Sequence, residues 1–250
     1  MLTAQDFFDL SQTTHAGLFA GTTYVWDALA VLSAYIRRRL DTDLKPNVAG
    51  MAFHPSTVID GDDIYIGAGT VIEPGVYLKG PAIIGRNCEI RQGAYLRGDV
   101  ILGDGVVLGH TSEIKHSLLL DHAHAPHFAY IGDSLLGARV NLGAGTKLSN
   151  LTVTSYKDPA TRQRPTIAIE VGGQRIDTGL SKFGAVLGDD VQLGCNCVTN
   201  PGCLVGPRTL VYALVSLAKG YHPADSVIKL RQQMEVTSRR RAGAGRPAKG

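Results

Sequence analysis

An all-β solenoid, a parallel β-helix of hexapeptide repeats, is the fold that the sequence predicts, on three observations. Between residues 66 and 120 an aliphatic side chain occupies every sixth position: Ile66, Ile72, Leu78, Ile84, Ile90, Leu96, Leu102, Leu108, Ile114 and Leu120. Two places before each stands a second, mostly small row that includes Thr70, Ala82, Cys88, Ala94 and Ser112. Glycine follows several of the aliphatics, as at Gly67, Gly85, Gly103 and Gly109. A period of six is neither that of a helix nor that of a simple strand. It marks a solenoid in which each hexad supplies a short strand and a corner, and three hexads close a triangular coil with the aliphatic residue inside. One coil cannot bury that face by itself, so successive coils stabilise one another by stacking.

Residues 1–50 precede the repeats and are expected to form a helical N-terminal cap. Thr22 or Thr23 can cap a helix that runs to Leu40, with Val25, Leu29, Leu32, Ile36 and Leu40 on one face. Arg37, Arg38 and Arg39 fall in its last turn, where cations suit the helix dipole. The helix is expected to close the open end of the prism, whose last apolar layer would otherwise face water. Residues 51–220 hold the β-helix. After a His-rich stretch the register restarts displaced by one, at Ile131-Gly132, Leu136-Gly137, Leu142-Gly143 and Leu148. It lapses over 151–183 and returns from Leu187 to Leu217. The lapse reads as an insertion loop at one corner, with a hairpin around Gly172-Gly173. Such loops often serve a binding face. Residues 221–250 are expected to form a short C-terminal helix, opened by Pro223 and reaching about Val236, and then a basic tail.

An apolar content of 44% over 250 residues gives ample core, and 30 glycines with only 6% aromatics suit a narrow prism turned at corners. Much of the net charge of +3 sits in Arg239, Arg240, Arg241, Arg246 and Lys249, so the body is near neutral and no nucleic-acid partner is expected. Asp6 and Asp9 interrupt the start, which has no basic-then-apolar leader pattern, and cytoplasmic localisation is expected. The longest apolar stretch, Tyr24 to Ile36, is broken by Asp27 and too short to span a bilayer. Cys197 and Cys203 fall on the small row as core fillers, and no cysteine spacing suggests zinc or a disulfide framework.

Between Arg97 and Asn150 stand side chains that a plain solenoid does not need: Arg97, Glu113, Lys115, His127, Tyr130, Asn141 and Asn150. Two cations (Arg97, Lys115) near an imidazole (His127) suit a phosphorylated substrate with a nucleophile to deprotonate. His122 and His124 read as surface residues.

Residues 94–220 resemble the acetyltransferase domain of the bifunctional N-acetylglucosamine-1-phosphate uridyltransferase/glucosamine-1-phosphate acetyltransferase family. The resemblance rests on Ala94-Tyr-Leu-Arg97, Glu113-Ile-Lys115, His127-Phe-Ala-Tyr130-Ile-Gly-Asp133, Val140-Asn141-Leu-Gly-Ala-Gly-Thr146, Lys182-Phe183 and Leu187-Gly-Asp-Asp190. It implies a left-handed β-helix, a homotrimer, and acetyl-CoA as co-substrate in grooves between subunits. By the same resemblance His127 is the general base on the sugar's amino group and Glu113 helps to orient that site. Arg97, Lys115 and Lys182 would hold the sugar phosphate, with Tyr130 and Asn141 on the sugar. Ala144, Asn150 and Cys195 would lie along acetyl-CoA, and one of Arg239 to Arg241 would reach its 3′-phosphate. The implied reaction is N-acetylation of an amino-sugar phosphate, glucosamine 1-phosphate first, for cell-envelope or nucleotide-sugar biosynthesis. The sequence departs from the family pattern at Leu151 (a tyrosine there), at Pro126 (a glycine), and in the longer loop after Leu151, across which Lys182 is matched. The first 50 residues cannot hold a nucleotidyltransferase domain, and no pyrophosphorylase loop is present. Other readings are a UDP-amino-sugar acyltransferase, a silent scaffold, and a zinc enzyme resembling γ-class carbonic anhydrase. The last is suggested by Arg97-Gly98-Asp99 and by His110 and His127, one coil apart, but Leu119 holds the place of its first ligand.

Overall fold

The computed structural model describes residues 2–237; the arginines of the basic tail, with the coenzyme A contact expected of them, lie outside these residues. Among the described residues the chain winds into a left-handed parallel β-helix whose three faces are eight-stranded sheets. Face A begins at Val58–Asp60, face B at Ile64–Ile66 and face C at Val71–Ile72. Stacking is in register, so one outward row on face A runs Tyr77, Tyr95, Glu113, Tyr130, Lys147. The six-residue row fills the prism: Leu78, Ile84, Ile90, Leu96, Leu102, Leu108 and Ile114 are all fully buried. Each contributes about 1.5–3 kcal/mol relative to exposure.

Two expectations of register change. Leu119, not Leu120, pairs with Leu102 and faces the interior, so the slip lies before the His-rich stretch. It recurs between Ile131 and Leu136. The cause is the corner between faces A and B. Where the earlier coil spends Gly98 and Asp99 on it, the next two spend one residue each, His116 and then Asp133. Both turn the chain in the left-handed region, at φ 43 and 48. This shortened corner carries much of the chemistry described below.

The N-terminal segment does not close the prism. It lies along face B, because that face is apolar on both sides: Ile83, Ile101, Leu118, Leu135, Val186 and Leu204 point outward yet are buried. Phe7, Phe8, Leu18, Trp26, Leu29, Leu32 and Ile36 cover them. Val48, in a short 3-10 turn, joins the interior cluster at the start of the prism, with Phe53 packed against it. The α-helix spans Asp27–Thr42, starting later than the threonines suggest, because Asp27 accepts the N–H groups of Thr23 and Tyr24. Its buried stripe is the expected one.

The insertion carries the expected hairpin, Ala168–Val171 antiparallel to Gln174–Asp177, and Ile167, Ile169 and Phe183 extend the cover of face B. No C-terminal helix forms among the described residues. Val227–Ile228 instead adds to face C beside Leu210–Val211, because the open ladder of the last coil offers hydrogen bonds that a short isolated helix could not match. Cys88, Cys197 and Cys203 are buried free thiols, and Cys195 is exposed. Among the described residues no helix is long and apolar enough to cross a membrane.

Candidate active site

The residues named from sequence fall on two ridges of the prism and on face A between them. The ridge between faces C and A carries one column, His110, His127, Ala144, Cys195. Backbone bonds tie it coil to coil, from Phe128 N–H to His110 O (2.9 Å), Gly145 N–H to His127 O (3.1 Å) and Asn196 N–H to Ala144 O (2.8 Å). His127 is exposed and, among the described residues, its ring makes no side-chain hydrogen bond. Its neighbour Phe128, turned out at φ 52 and about half exposed, stands edge-on to His110 with centroids 5.2 Å apart. The base expected from sequence is thus on an open ridge, in one column with Ala144 and Cys195, two of the three residues expected along acetyl-CoA.

The ridge between faces A and B is the opposite case. Asp133, with its side chain 6% exposed, accepts from Lys115 Nζ at 2.8 and 3.1 Å, meets His116 Nδ1 at 3.0 Å, and accepts from Asn150 Nδ2. The Tyr130 hydroxyl reaches Asn150 Oδ1 at 3.4 Å. Burial works against the charge on Asp133, but the bonds from His116, Lys115 and Asn150 outweigh it and lower its pKa to about 2. Burial, reinforced by the charges of Glu113 and Asp133, raises the pKa of Tyr130. Gly132 makes the assembly possible. A Cβ there would stand 2.7 Å from the Tyr130 hydroxyl and 2.8 Å from Asn150 Nδ2, closer than atoms tolerate.

Between the ridges Arg97 donates to Glu113 at 2.6 Å, with its guanidinium 5.9 Å from the Tyr95 ring. Glu113 therefore engages Arg97 and not His127. Asn141 lies on face C, beside His124, and so is on a different face from Tyr130. Lys182 is exposed, next to Phe183, whose N–H binds the Asn150 carbonyl at 3.0 Å. Asn150, expected along the thioester donor, lies instead in the Asp133 network. Asp133 and His116 were given no role from sequence. Their signal was the five-residue step from Ile114 to Leu119, repeated from Ile131 to Leu136. Among the described residues no group of three His, Cys, Asp or Glu side chains is placed to hold a metal ion, although His110 and His127 are neighbours in register.

A family model described as the GMPPB C-terminal domain matches residues 78–197, the stretch that builds both ridges. Among relatives, a bifunctional sugar-1-phosphate nucleotidylyltransferase/acetyltransferase of Sulfurisphaera tokodaii is 34% identical over 116 residues, 46% of this chain and 27% of the relative. The bifunctional protein GlmU of Methanococcus aeolicus is 26% identical over 216 residues, 86% of this chain and 48% of the relative. Residues 78–197 are thus similar to the GMPPB C-terminal domain, and the chain is similar over part of its length to GlmU-type bifunctional proteins. The chain spans about a quarter to a half of the relatives it matches. Among solved structures, the UDP-N-acetylglucosamine acyltransferase from Campylobacter jejuni is 21% identical over 68% of each chain, with a TM-score of 0.41. Around the matched stretch, the N-terminal cover of face B and the loop 151–183 are what frame the A/B ridge.

Proposed function

We propose that the chain transfers an acetyl group from acetyl-CoA to the amino group of an amino-sugar phosphate, with glucosamine 1-phosphate the first candidate acceptor. The observation that carries the reading is the column His127, Ala144, Cys195, which sets an unencumbered imidazole in line with the residues expected along the thioester. An imidazole titrates near neutral pH and so suits deprotonation of an amine. In the proposed step the free amine nitrogen adds to the thioester carbonyl while His127 Nε2 or Nδ1 accepts its proton. The tetrahedral intermediate collapses with loss of coenzyme A thiolate, and the proton on His127 passes to the thiolate to give the free thiol. Tyr130 and Asn150, held by Asp133, present a fixed polar edge to the sugar, and fixed groups lower the orientational cost of the attack.

The active unit is a homotrimer in this reading. Asn141 on face C and Tyr130 on face A, both expected on the sugar, can meet one ligand only if two subunits face each other. Face B is already covered within the chain, which leaves faces A and C for packing. The test is release of free thiol from acetyl-CoA across a panel of amino sugars and their phosphates, with light scattering on the same sample. Thiol release with an amino-sugar phosphate from a trimer is expected. Bound acetyl-CoA with no turnover on any member would overturn the reaction; full activity from a monomer would overturn the assembly.

A further inference from the structure

Of the three cations expected on the sugar phosphate, Arg97 is engaged by Glu113 and Lys115 by Asp133. The third, Lys182, stands instead among cations of the insertion that were given no role from sequence. The insertion and the return of the chain at Lys182 enclose a cleft of about 540 Å³, the size of a small-molecule site, into which Lys157, Arg162, Arg164 and Lys182 all contribute. Among the described residues none of the four makes a salt bridge, and no carboxylate lines the cleft. The two acids beside it are committed to the loop itself. Asp158 accepts the N–H groups of Ala160 and Thr161, and Asp177 accepts from the Thr166 hydroxyl and Gly179 N–H. Arg164 is positioned by a bond to the Ser155 carbonyl. Leu151 forms another wall, and the residue before it is Asn150 of the Asp133 network, so the cleft opens beside the polar edge proposed for the sugar.

Four positive charges around one cleft repel one another unless an anion joins them. A phosphoryl group, with two or more charges and oxygens suited to the arginine fork, satisfies that demand better than a carboxylate would. We infer that the loop 151–183 builds a phosphoryl-binding subsite from Lys157, Arg162, Arg164 and Lys182. The phosphate belongs either to the acceptor sugar or to coenzyme A. The sugar assignment rests on the function proposed above, but the subsite does not.

The experiment is calorimetric binding on the whole chain, without turnover, using glucosamine 1-phosphate against glucosamine, coenzyme A against 3′-dephospho-coenzyme A, and inorganic pyrophosphate as a bare probe. Arg162→Ala and Lys157→Ala are suitable variants, because both side chains are exposed and neither makes a side-chain bond among the described residues. Each is expected to weaken the phosphorylated ligand by roughly tenfold or more, the scale of one hydrogen bond between charged groups. Arg162→Lys should recover part of the loss. Loss confined to the sugar phosphate assigns the cleft to the acceptor; loss confined to coenzyme A, and absent with the dephospho form, assigns it to the donor. In the wild type, pyrophosphate affinity should fall steeply with salt, a check that needs no variant. Variants that bind both phosphorylated ligands and pyrophosphate like the wild type overturn the subsite. If binding behaves as expected and no thiol is ever released, the subsite stands and the acetyl-transfer reading falls.

Discussion

The two ridges that bound face A are built from the same repeat and differ in nearly every physical respect. At the A/B ridge a shortened corner folds Asp133 inward, where Lys115, His116 and Asn150 surround it. At the C/A ridge a full-length corner turns His127 and Phe128 out to solvent. One ridge has its polar groups paired within the chain, and the other presents an exposed imidazole that makes no side-chain hydrogen bond among the described residues. The contrast separates two jobs that a static site often merges. Under the proposed function the dense ridge would fix geometry, and the bare ridge would keep His127 free to meet ligands and a second subunit.

Removing Asp133 is the most damaging way to break this contrast. Asp133→Ala leaves a half-buried Lys115 and a buried Asn150 without their shared acceptor, at about 3–5 kcal/mol, the usual cost of breaking a buried pair from one side. Urea denaturation measures it, and a loss near 1 kcal/mol would mean that the carboxylate is not held this way in solution. His127→Ala should do the reverse. The midpoint of unfolding stays where it was while kcat drops roughly 10²–10⁴-fold, the range for losing a general base. A destabilised His127→Ala protein would erase the distinction between the ridges.

Acid offers a sharper probe, because the covered face and the A/B ridge respond in different windows. His15, buried against Tyr35 and Arg39, has its pKa lowered from 6.5 to about 4, by burial first and by Arg39 second. The unfolded chain therefore binds a proton that the folded chain refuses as pH falls from 6.5 to 4, and about 3 kcal/mol of stability is lost across that interval. Asp133, lowered from 3.8 to about 2, keeps its contribution until pH falls below 3.8. Stability measured against pH should thus decline first in the upper window, and His15→Gln should flatten that decline. A smaller effect is expected at Gly132→Ala, where the added methyl pushes Tyr130 and Asn150 apart at about 1–3 kcal/mol. Smallest of all, His122→Ala and His124→Ala, both exposed, should stay within about 0.5 kcal/mol in stability and leave turnover unchanged.

The solenoid was legible because its code is local and repeated. Each of the seven residues from Leu78 to Ile114 answers to the same steric demand, so six equal spacings carry one message. The residues of the ridges were legible as types and motifs but not as partners. Nothing in Glu113-Ile-Lys115 says that Glu113 will take Arg97 from the coil before, while Lys115 takes Asp133 from the coil after. Those choices follow from a corner one residue shorter, which the rows of aliphatics recorded only as a slip. The placement of the N-terminal segment was written in a pattern that the period of six hides. On face B the triplets Ala82-Ile83-Ile84, Val100-Ile101-Leu102 and Ala185-Val186-Leu187 are apolar outside as well as inside, so that face wants cover along its length. Pro223 suggested a helix start on local grounds, and the unpaired edge of the last coil overrode it.

The segment lying along face B also changes what kind of polymer the solenoid is. A stack of coils left alone is a one-dimensional chain of neighbours, free to fray from either end a coil at a time. Here Asp9 N–H bonds the carboxylate of Asp189, 180 residues away, and the ring of Phe7 stands 6.1 Å from that of Tyr221 in the last turns. Phe7 and Asp9 can find these partners only after most of the prism exists, so this segment is among the last parts to settle. Once settled, it ties early coils to late ones like a splint. The ends then cannot loosen separately, and a molecule assembled turn by turn comes apart as a single body.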